Sequence, residues 1–401
     1  MDKKNLQIGF ALGRDTVLSV AEIFAYLESQ GVDVLGSAVQ KDVLLLELSA
    51  DSLEKISINA LGGTIKIFRI LGGYNTEQEI VEKLLSTLDD THDKRVNFGV
   101  SGYGNVNKSF ILKVGYDIKN ALQEAGHSAR FVTGKTVDLS SVIVNENKLI
   151  ERGFEAIILK QGGQYLLGTT TEVQDYKAYS KRDFGRPKRD ARNGMLPPKL
   201  AQIMINLAVQ PTTATLYDPF CGSGTIIQEG LFRGFRDVHA SDIEDKNIED
   251  TKENLEWLYQ RFGMPRVDTE KIFKSDVLTP AKTVLADAIV GEGYLGEPRP
   301  QKKDRAIVEA QKLAQFYTQA LTNLAKQLKP GGTIVLAIPF FIVGREFVYL
   351  PILEEIERIG LDRMSFIPDN LELRLFGRGN LTYSRPDQFV GREILVLKKS
   401  S

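Results

Sequence analysis

The segment 216–225 constrains the fold more than any other part of this sequence. It reads Leu-Tyr-Asp-Pro-Phe-Cys-Gly-Ser-Gly-Thr, a short apolar run that ends in an aspartate and a turn with two glycines. Residues 226–231, Ile-Ile-Gln-Glu-Gly-Leu, then read as the start of a helix. A strand that passes through a glycine turn into a helix is typical of a doubly wound α/β sheet, in which ligands bind at the carboxyl ends of the strands. The glycines allow a close backbone approach, and the helix N-terminus supplies unpaired N–H groups.

The residues after this turn indicate the class of ligand. A dinucleotide fold requires a third glycine where this chain has Ile227. The next apolar stretch ends in Asp242, 18 residues after Gly224, and a carboxylate there can accept both hydrogens of a ribose diol. A third acidic residue, Asp276, follows the short strand 271–273. Three acidic strand ends without phosphate-binding cations favour an adenosine that carries a sulfonium over a pyrophosphate.

With these features the chain resembles the class I S-adenosylmethionine-dependent methyltransferases. Residues 218–225 match the D-P-F-C-G-S-G-T form found in methyltransferases of exocyclic amino groups on nucleic-acid bases. More narrowly, the chain is similar to the THUMP-containing tRNA guanosine N2-methyltransferases that modify position 10 of tRNA. The motifs that carry this narrower resemblance are Arg186-Pro187, the stretches 195–201 and 206–208, Tyr383-Ser384-Arg385 and Arg392-Glu393-Ile394. The resemblance is specific over residues 186–401 and looser over 1–185.

The resemblance implies a cofactor, a substrate and a set of site residues. The cofactor is S-adenosyl-L-methionine, and the substrate is tRNA or another structured RNA. Asp242 is expected to hold the ribose and Asp276 the adenine amine. The remaining cofactor-binding residues lie in the turn and are Asp218, Phe220, Gly222, Gly224 and Thr225.

The segment after the fourth strand departs from the family pattern. Related amino-methyltransferases carry Asp, Asn or Ser, then Pro-Pro, then Tyr or Phe, which together supply an acceptor for the amine and an aromatic face for a flipped-out base. This chain has Gly291-Glu292-Gly293-Tyr294. Tyr294 keeps the stacking ring, and Glu292 supplies an acceptor that is one carbon longer. The two glycines are expected to loosen the loop.

Three interpretations of this segment remain open. Glu292 substitutes for the usual acidic residue, or the pocket serves a different base or amine. Alternatively, methyl transfer is impaired, which would leave an RNA-binding protein that still holds the cofactor. Methylation of adenine in DNA is a further alternative, and the upstream units, which look suited to structured RNA, argue against it.

The length of 401 residues predicts several domains. We expect an α/β protein with a ferredoxin-like α+β domain at 1–75, a THUMP-like RNA-binding domain at 76–168, a basic linker at 169–195 and a Rossmann-like class I methyltransferase domain at 196–401. Within the first domain, Ser19 and Glu22 have the spacing of a capping box at the start of a helix. In the second, residues 139–144 predict a strand.

The stretch 177–199 is the clearest basic segment in a chain whose net charge is −1. It holds eight lysines and arginines against two aspartates, a net charge of +6. Interleaved aromatic residues favour stacking on unpaired bases, so we predict RNA contacts here, with a flexible charged linker as the alternative. The predicted RNA-binding residues are Lys177, Lys181, Arg182, Arg186, Lys188, Arg189 and Arg192.

The single cysteine, Cys221, excludes an internal disulfide, so a reducing cytoplasm is the expected location. We interpret this cysteine as a packing residue rather than a nucleophile, because no histidine stands in a recognisable relation to it. The three histidines show no metal-ligand spacing. No apolar run is long enough to cross a bilayer. We therefore expect neither a metal nor a membrane partner, and we also expect a monomer.

Overall fold

Two β-sheets organise the chain, one in each half. The structure is a computed structural model that describes residues 5–87, 95–189, 195–296, 302–373, 375, 377–385 and 388–399. The N-terminal half contains the strands β1 (Asn5–Leu12), β2 (Val34–Gln40), β3 (Val43–Ser49), β4 (Thr64–Tyr74), β5 (Arg95–Tyr103), β6 (Ser128–Val132), β7 (Gly153–Gln161) and β8 (Gln164–Val173). Its α-helices are α1 (Thr16–Ser29), α2 (Glu77–Thr87), α3 (Lys108–Glu124) and α4 (Ser141–Glu146).

The N-terminal sheet is continuous across the boundary that the sequence predicts at residue 75. Its strand order is β2-β3-β1-β4-β8-β7-β5-β6, and β4 pairs with β8 along most of its length. The two predicted domains therefore share one sheet. The predicted strand at 139–144 is wrong, because α4 begins at Ser141 and the side chain of Ser140 accepts a hydrogen bond from the N–H of Ile143. A serine at this position favours a helix start over a strand.

The C-terminal half contains the candidate site. Its helices are α5 (Tyr176–Phe184), α6 (Pro198–Leu207), α7 (Thr225–Arg233), α8 (Asp245–Phe262), α9 (Lys303–Gln327) and α10 (Leu353–Arg358). Its strands are β9 (Thr215–Asp218), β10 (Asp237–Asp242), β11 (Ile272–Lys274), β12 (Ala286–Glu292), β13 (Leu328–Val343), β14 (Glu346–Tyr349), β15 (Leu361–Arg363), β16 (Leu381–Tyr383) and β17 (Val390–Lys399). The predicted linker at 169–195 thus includes the end of β8 and all of α5.

The C-terminal sheet has a switch point that positions the site. Its strand order is β11-β10-β9-β12-β13-β17-β15, and the first five strands are parallel. The chain runs outward from β9 to β11 and then returns to β12 on the other side of β9. Ligands bind outside the carboxyl ends of the strands at such a reversal. This geometry places Asp218, at the end of β9, beside Glu292, at the end of β12.

The core of the C-terminal half lies on both faces of this sheet. Apolar residues of α6, α7 and α8 cover one face, and the long helix α9 covers the other. Within the described ranges, no helix combines the length and the apolar content that crossing a membrane would need.

Glu22 connects the two halves and does not act as a helix cap. Helix α1 begins at Thr16, so the capping-box prediction for Ser19 and Glu22 is wrong, and the hydroxyl of Ser19 donates to the carbonyl of Asp15 instead. The carboxylate of Glu22 is fully buried. It accepts hydrogen bonds from the N–H groups of the loop residues 62 and 63, at 2.7 and 2.8 Å, and from Nδ2 of Asn206 in α6, at 2.8 Å.

This contact predicts a pH-dependent stability. Burial raises the pKa of Glu22 to about 7 from its ordinary value of 4.5, although its three donors oppose the shift. The folded protein then binds this proton more tightly than the unfolded chain does, so the free energy of unfolding should decrease as the pH rises from about 5 to about 8. Glu22→Gln should weaken this dependence in urea unfolding curves. Glu28→Gln, exposed on the same helix, is the control, and equal pH dependence in both variants would contradict the prediction.

Candidate active site

The glycine turn between β9 and α7 has the backbone geometry that only glycine adopts readily. Gly222 and Gly224 have φ angles of +51° and +82°. A Cβ atom on Gly224 would lie 2.9 Å from Cγ2 of Thr251 in α8. Two side chains of α8 hold the carbonyl groups of the turn: Oγ1 of Thr251 donates to Gly222 at 2.8 Å, and Nδ2 of Asn254 donates to Ser223 at 2.9 Å. Side chains of helix α8 therefore fix the turn by donating hydrogen bonds to the carbonyl oxygens of the turn.

Asp242 connects the turn to the end of β10. Its Oδ2 accepts from the N–H of Gly222 at 2.9 Å, and its Oδ1 accepts from the N–H of Glu244 and from Nδ2 of Asn247, both at 3.0 Å. These donors fix the orientation of the carboxylate. An ionised carboxylate has about four acceptor positions, so one remains for a ligand.

Asp218 lies at the end of the neighbouring strand and is almost fully buried. Its Oδ1 accepts from the N–H of Phe220 at 3.0 Å. Burial raises the pKa of Asp218 well above its usual range, and the charges of Asp242 and Glu292 add to this effect. A cationic ligand beside these three carboxylates would counter their mutual repulsion.

Asp276 lies beyond the end of β11 and is less buried. Its Oδ1 accepts from the N–H of Leu278 at 2.8 Å. The adjacent Ser275 donates its N–H to the carbonyl of Asp242 at 2.9 Å, which joins the ends of β10 and β11. Sequence reasoning missed Ile243, a residue that directly follows Asp242 and is 56% exposed. An apolar residue next to an acidic strand end is the signal that identifies it as a candidate contact for a flat apolar ligand group.

Cys221 is buried beneath the turn. Its N–H donates to the carbonyl of Ser241 at 3.0 Å, and its sulfur lies 3.6 Å from Oγ1 of Thr251. Burial raises the pKa of the Cys221 thiol well above its usual range, so the thiol stays protonated and behaves as a small apolar group. Within the described ranges, no three His, Cys, Asp or Glu side chains form a group that could hold a metal ion.

The segment 291–294 is held tightly, so the prediction that its glycines loosen it is wrong. A Cβ atom on Gly291 would lie 2.9 Å from Oδ1 of Asp218, and one on Gly293 would lie 2.6 Å from Cε1 of Tyr317. The hydroxyl of Tyr317, a fully buried residue of α9, donates to the carbonyl of Tyr294 at 2.8 Å. Glycine is required here because the backbone passes close to its neighbours. The ring of Tyr294 itself is exposed.

Glu292 forms a buried ion pair with Arg392 of β17. Nε of Arg392 donates to Oε1, and Nη2 lies 3.4 Å from Oε2. The side chains of Glu292 and Arg392 are 13% and 5% exposed. Sequence reasoning missed this partner because 100 residues separate the two positions. The neighbouring Glu393 is bound separately by Arg378, at 2.6 and 2.8 Å.

Two of the predicted RNA-binding arginines are buried, so that prediction is wrong for them. Nε of Arg182 donates to Oε1 of Glu229 in α7 at 2.8 Å, and the guanidinium lies 4.2 Å from the ring centre of Tyr179. Nη1 of Arg186 donates to Oγ1 of Thr225 at 2.6 Å. Both arginines fasten α5 and the following residues onto α7, and neither is accessible to a phosphate.

The other predicted RNA-binding residues lie at the surface or outside the described residues. Lys177 pairs with Glu146 at 2.7 Å, and Lys188 pairs with Glu253 at 3.2 Å. Lys181 and Arg189 are exposed, and the guanidinium of Arg189 lies 5.2 Å from the ring centre of Phe184, which is 63% exposed. Arg192 lies outside the described residues. The accessible part of the predicted basic surface is therefore smaller than its charge count suggests.

Adjacent residues of α5 should respond differently to substitution. Arg182→Gln leaves Glu229 buried without its partner, and we expect the free energy of unfolding to fall by about 3–5 kcal/mol. Lys181→Gln is the matched control and should change this quantity by no more than about 0.5 kcal/mol, because its side chain is exposed. Denaturant unfolding of both variants measures the difference. Equal stabilities would show that Arg182 contributes nothing to the packing of α5 on α7.

Comparisons with known proteins agree with this arrangement. Residues 186–257 match a family model described as RMKL-like, methyltransferase domain. The chain is 27% identical over 340 residues to the tRNA (guanine(10)-N2)-dimethyltransferase of Methanothermobacter thermautotrophicus, and the alignment covers 81% of this chain and 86% of that protein. The fold is similar to that of TrmN from Thermus thermophilus, with a TM-score of 0.53 and 15% identity over 99% of this chain and 100% of that one. The predicted mixed α/β fold with a Rossmann-like methyltransferase domain is confirmed.

Proposed function

We propose that this chain is an S-adenosylmethionine-dependent tRNA methyltransferase that acts on N2 of a guanosine. The observation that carries the proposal is the meeting of the glycine turn, three acidic strand ends and Tyr294 at the switch point of the sheet. The relative with this activity in its name aligns with most of the chain, including both halves. The methylated position within the tRNA follows only from that relative's name, which specifies guanine 10.

The residues at the switch point fit S-adenosylmethionine. The Cβ position of Gly222 faces open space, with no heavy atom within 4 Å among the described residues. Asp242 would accept one hydrogen bond from the ribose through its remaining acceptor position, Asp276 would accept from the adenine amine, and Ile243 would contact the adenine ring. Asp218, Phe220, Gly224 and Thr225 would enclose the remainder. When bound, the cofactor supplies an electrophilic methyl group on a sulfonium, a cation that suits this carboxylate cluster.

The segment 291–294 would orient the target base. Tyr294 would stack on the flipped-out guanine through its exposed ring. Glu292, held in place by Arg392, would accept a hydrogen of the N2 amine. The amine lone pair is delocalised into the purine ring, and an acceptor that draws the amine hydrogens out of the ring plane makes the nitrogen more nucleophilic. The buried surroundings would exclude water from the reacting groups.

The N-terminal half would bind the tRNA. Its second part, the THUMP-like residues 76–168, would hold the body of the RNA, and the exposed Lys181, Phe184 and Arg189 of the following segment would contact the backbone and an unpaired base. This assignment is supported by the alignment with the tRNA-modifying relative, which extends well beyond the methyltransferase domain.

A direct assay tests the proposal. Purified protein is incubated with unmodified tRNA transcripts and S-adenosylmethionine labelled in its methyl group, and the digested nucleosides are separated by mass spectrometry. We expect labelled N2-methylguanosine, with N2,N2-dimethylguanosine at longer times. Absence of any labelled guanosine across a set of tRNAs would contradict the proposal.

The second candidate function is a tRNA-binding protein that retains the cofactor but does not transfer the methyl group. The Glu292–Arg392 pair favours it, because an acceptor already engaged by a guanidinium is less available to the amine. This candidate predicts salt-sensitive tRNA binding and cofactor binding without turnover. The same assay separates the two functions.

A further inference from the structure

Three arginines surround one tyrosine ring beside the Glu292–Arg392 pair. The guanidinium carbons of Arg14 and Arg392 lie 5.5 and 5.9 Å from the ring centre of Tyr383. Nε of Arg385 lies 3.3 Å from the hydroxyl of the same tyrosine, to which it donates a hydrogen bond. Arg14 belongs to the connection between β1 and α1, whereas Tyr383 and Arg385 belong to the C-terminal half. This cluster therefore joins the two halves at the edge of the candidate active site.

The position of the cluster follows from the pairing of the strands. Tyr383 in β16 lies directly opposite Arg392 in β17, and Arg392 holds Glu292 at the end of β12. Arg392 thus connects the cluster directly to Glu292, the carboxylate that would face the target amine. Nη2 of Arg14 donates to the carbonyl of Ser384 at 2.8 Å, which fixes the N-terminal half against this edge.

Two of the three arginines keep hydrogen-bonding capacity for an outside ligand. Arg392 is buried and engaged by Glu292. Arg14 is 53% exposed, and its contact with Asp15 at 3.3 Å uses the same nitrogen that donates to Ser384. Arg385 is exposed and, among the described residues, has no ion-pair partner; Asp183 acts on its charge only from beyond ion-pair distance. The open donors of Arg14 and Arg385 are the groups that bind phosphate as a planar fork.

We propose that Arg14, Tyr383 and Arg385, here called the arginine clamp, bind the RNA backbone phosphate next to the methylated nucleotide. The clamp rests on the proposed RNA substrate. A base flipped out onto Tyr294 would carry its flanking phosphates toward the segment 291–294, and Arg392 connects this segment to the clamp through Glu292 and Tyr383. The ring of Tyr383 serves as a platform for guanidinium groups and not for a base. The N-terminal half then completes the substrate site by supplying Arg14, and is more than a spacer.

Binding of tRNA as a function of salt concentration tests the clamp. Arg14→Gln and Arg385→Gln should each weaken tRNA affinity by about 3- to 10-fold near 0.1 M salt, and each should reduce the slope of log K against log salt by about 0.7 to 0.9, the value of one phosphate contact. Arg363→Gln is the matched control, because Arg363 is exposed in β15 and pairs near the far end of β17. It should leave both quantities unchanged.

Further variants separate this inference from folding effects and from the proposed activity. Arg14→Lys keeps the charge and should keep the wild-type slope even if its affinity is lower. Cofactor affinity and thermal unfolding report whether each variant is folded. If Arg14→Gln does not fold, the salt slope of Arg385→Gln tests the clamp. Slopes equal to that of Arg363→Gln would overturn the clamp. If the salt slope falls in these variants but the wild-type protein never methylates guanosine, the clamp stands and the proposed activity is refuted.

Discussion

Asp242→Asn should weaken the binding of S-adenosylmethionine and of its demethylated product by about 10- to 100-fold. The carboxylate aligns the turn through Gly222 and, in the proposed function, accepts a hydrogen bond from the ribose. A hydrogen bond to a charged acceptor contributes about 1.5–3 kcal/mol, and the amide of asparagine also turns an N–H group toward one of the backbone donors. Isothermal titration calorimetry with both ligands measures the effect.

The control for this prediction is Asp287, which lies near the amino end of β12, whereas Asp242 lies at the carboxyl end of β10. Asp287 pairs with Lys329 at 2.7 Å and accepts from the N–H of Thr215 at 2.8 Å. Asp287→Asn removes a carboxylate with comparable partners, so it should lower stability without changing cofactor affinity. Affinities in Asp242→Asn that match those of the control would remove the basis for a nucleoside site at the end of β10, and with it the proposed methyl transfer.

Features set by neighbouring residues could be predicted from the sequence. The turn after Asp218 could be predicted from a few adjacent residues, because the positive φ angles at positions 222 and 224 favour glycine. The end of helix α8 is likewise a local feature, because Gly263 follows its last residue with a φ of +65°, in the left-handed region. Acidic residues at strand ends were likewise predictable, since parallel strands bring their carboxyl ends to one edge.

Contacts between distant residues could not be predicted in this way. Arg182 and Lys181 are neighbours of the same charge class, and only the packing of α5 on α7 buries one and exposes the other. The partner of Glu292 lies on an antiparallel strand near the C-terminus. The spacing of Ser19 and Glu22 matched a cap, but the helix starts a turn earlier, and the carboxylate is used between the two halves. In each case a charged side chain has a partner that no local pattern reveals.

Glu292→Gln should reduce methyl transfer to tRNA by about 100-fold or more while changing cofactor affinity by less than about threefold. Glutamine keeps the length of the side chain and part of its contact with Arg392, but it loses the charge that would draw the amine hydrogens. A loss of this size is typical when a group that assists proton movement in the transition state is removed. Single-turnover rates with saturating tRNA and cofactor measure the chemical step. Asp237→Asn is the control and should leave these rates unchanged. This variant breaks an ion pair with Lys271 at the amino end of β10, away from the carboxyl ends that form the site.

Arg392 distinguishes a positioned acceptor from a merely structural ion pair. Arg392→Gln leaves a buried carboxylate without its partner, so stability should fall by about 3–5 kcal/mol, and the double variant Glu292→Gln/Arg392→Gln should regain part of that loss. If Arg392 acts through Glu292, the double variant should transfer methyl groups no more slowly than Glu292→Gln alone, because the two effects are not additive. Additive losses would mean that Arg392 contributes to transfer independently. A wild-type rate in Glu292→Gln would instead assign the amine to another acceptor.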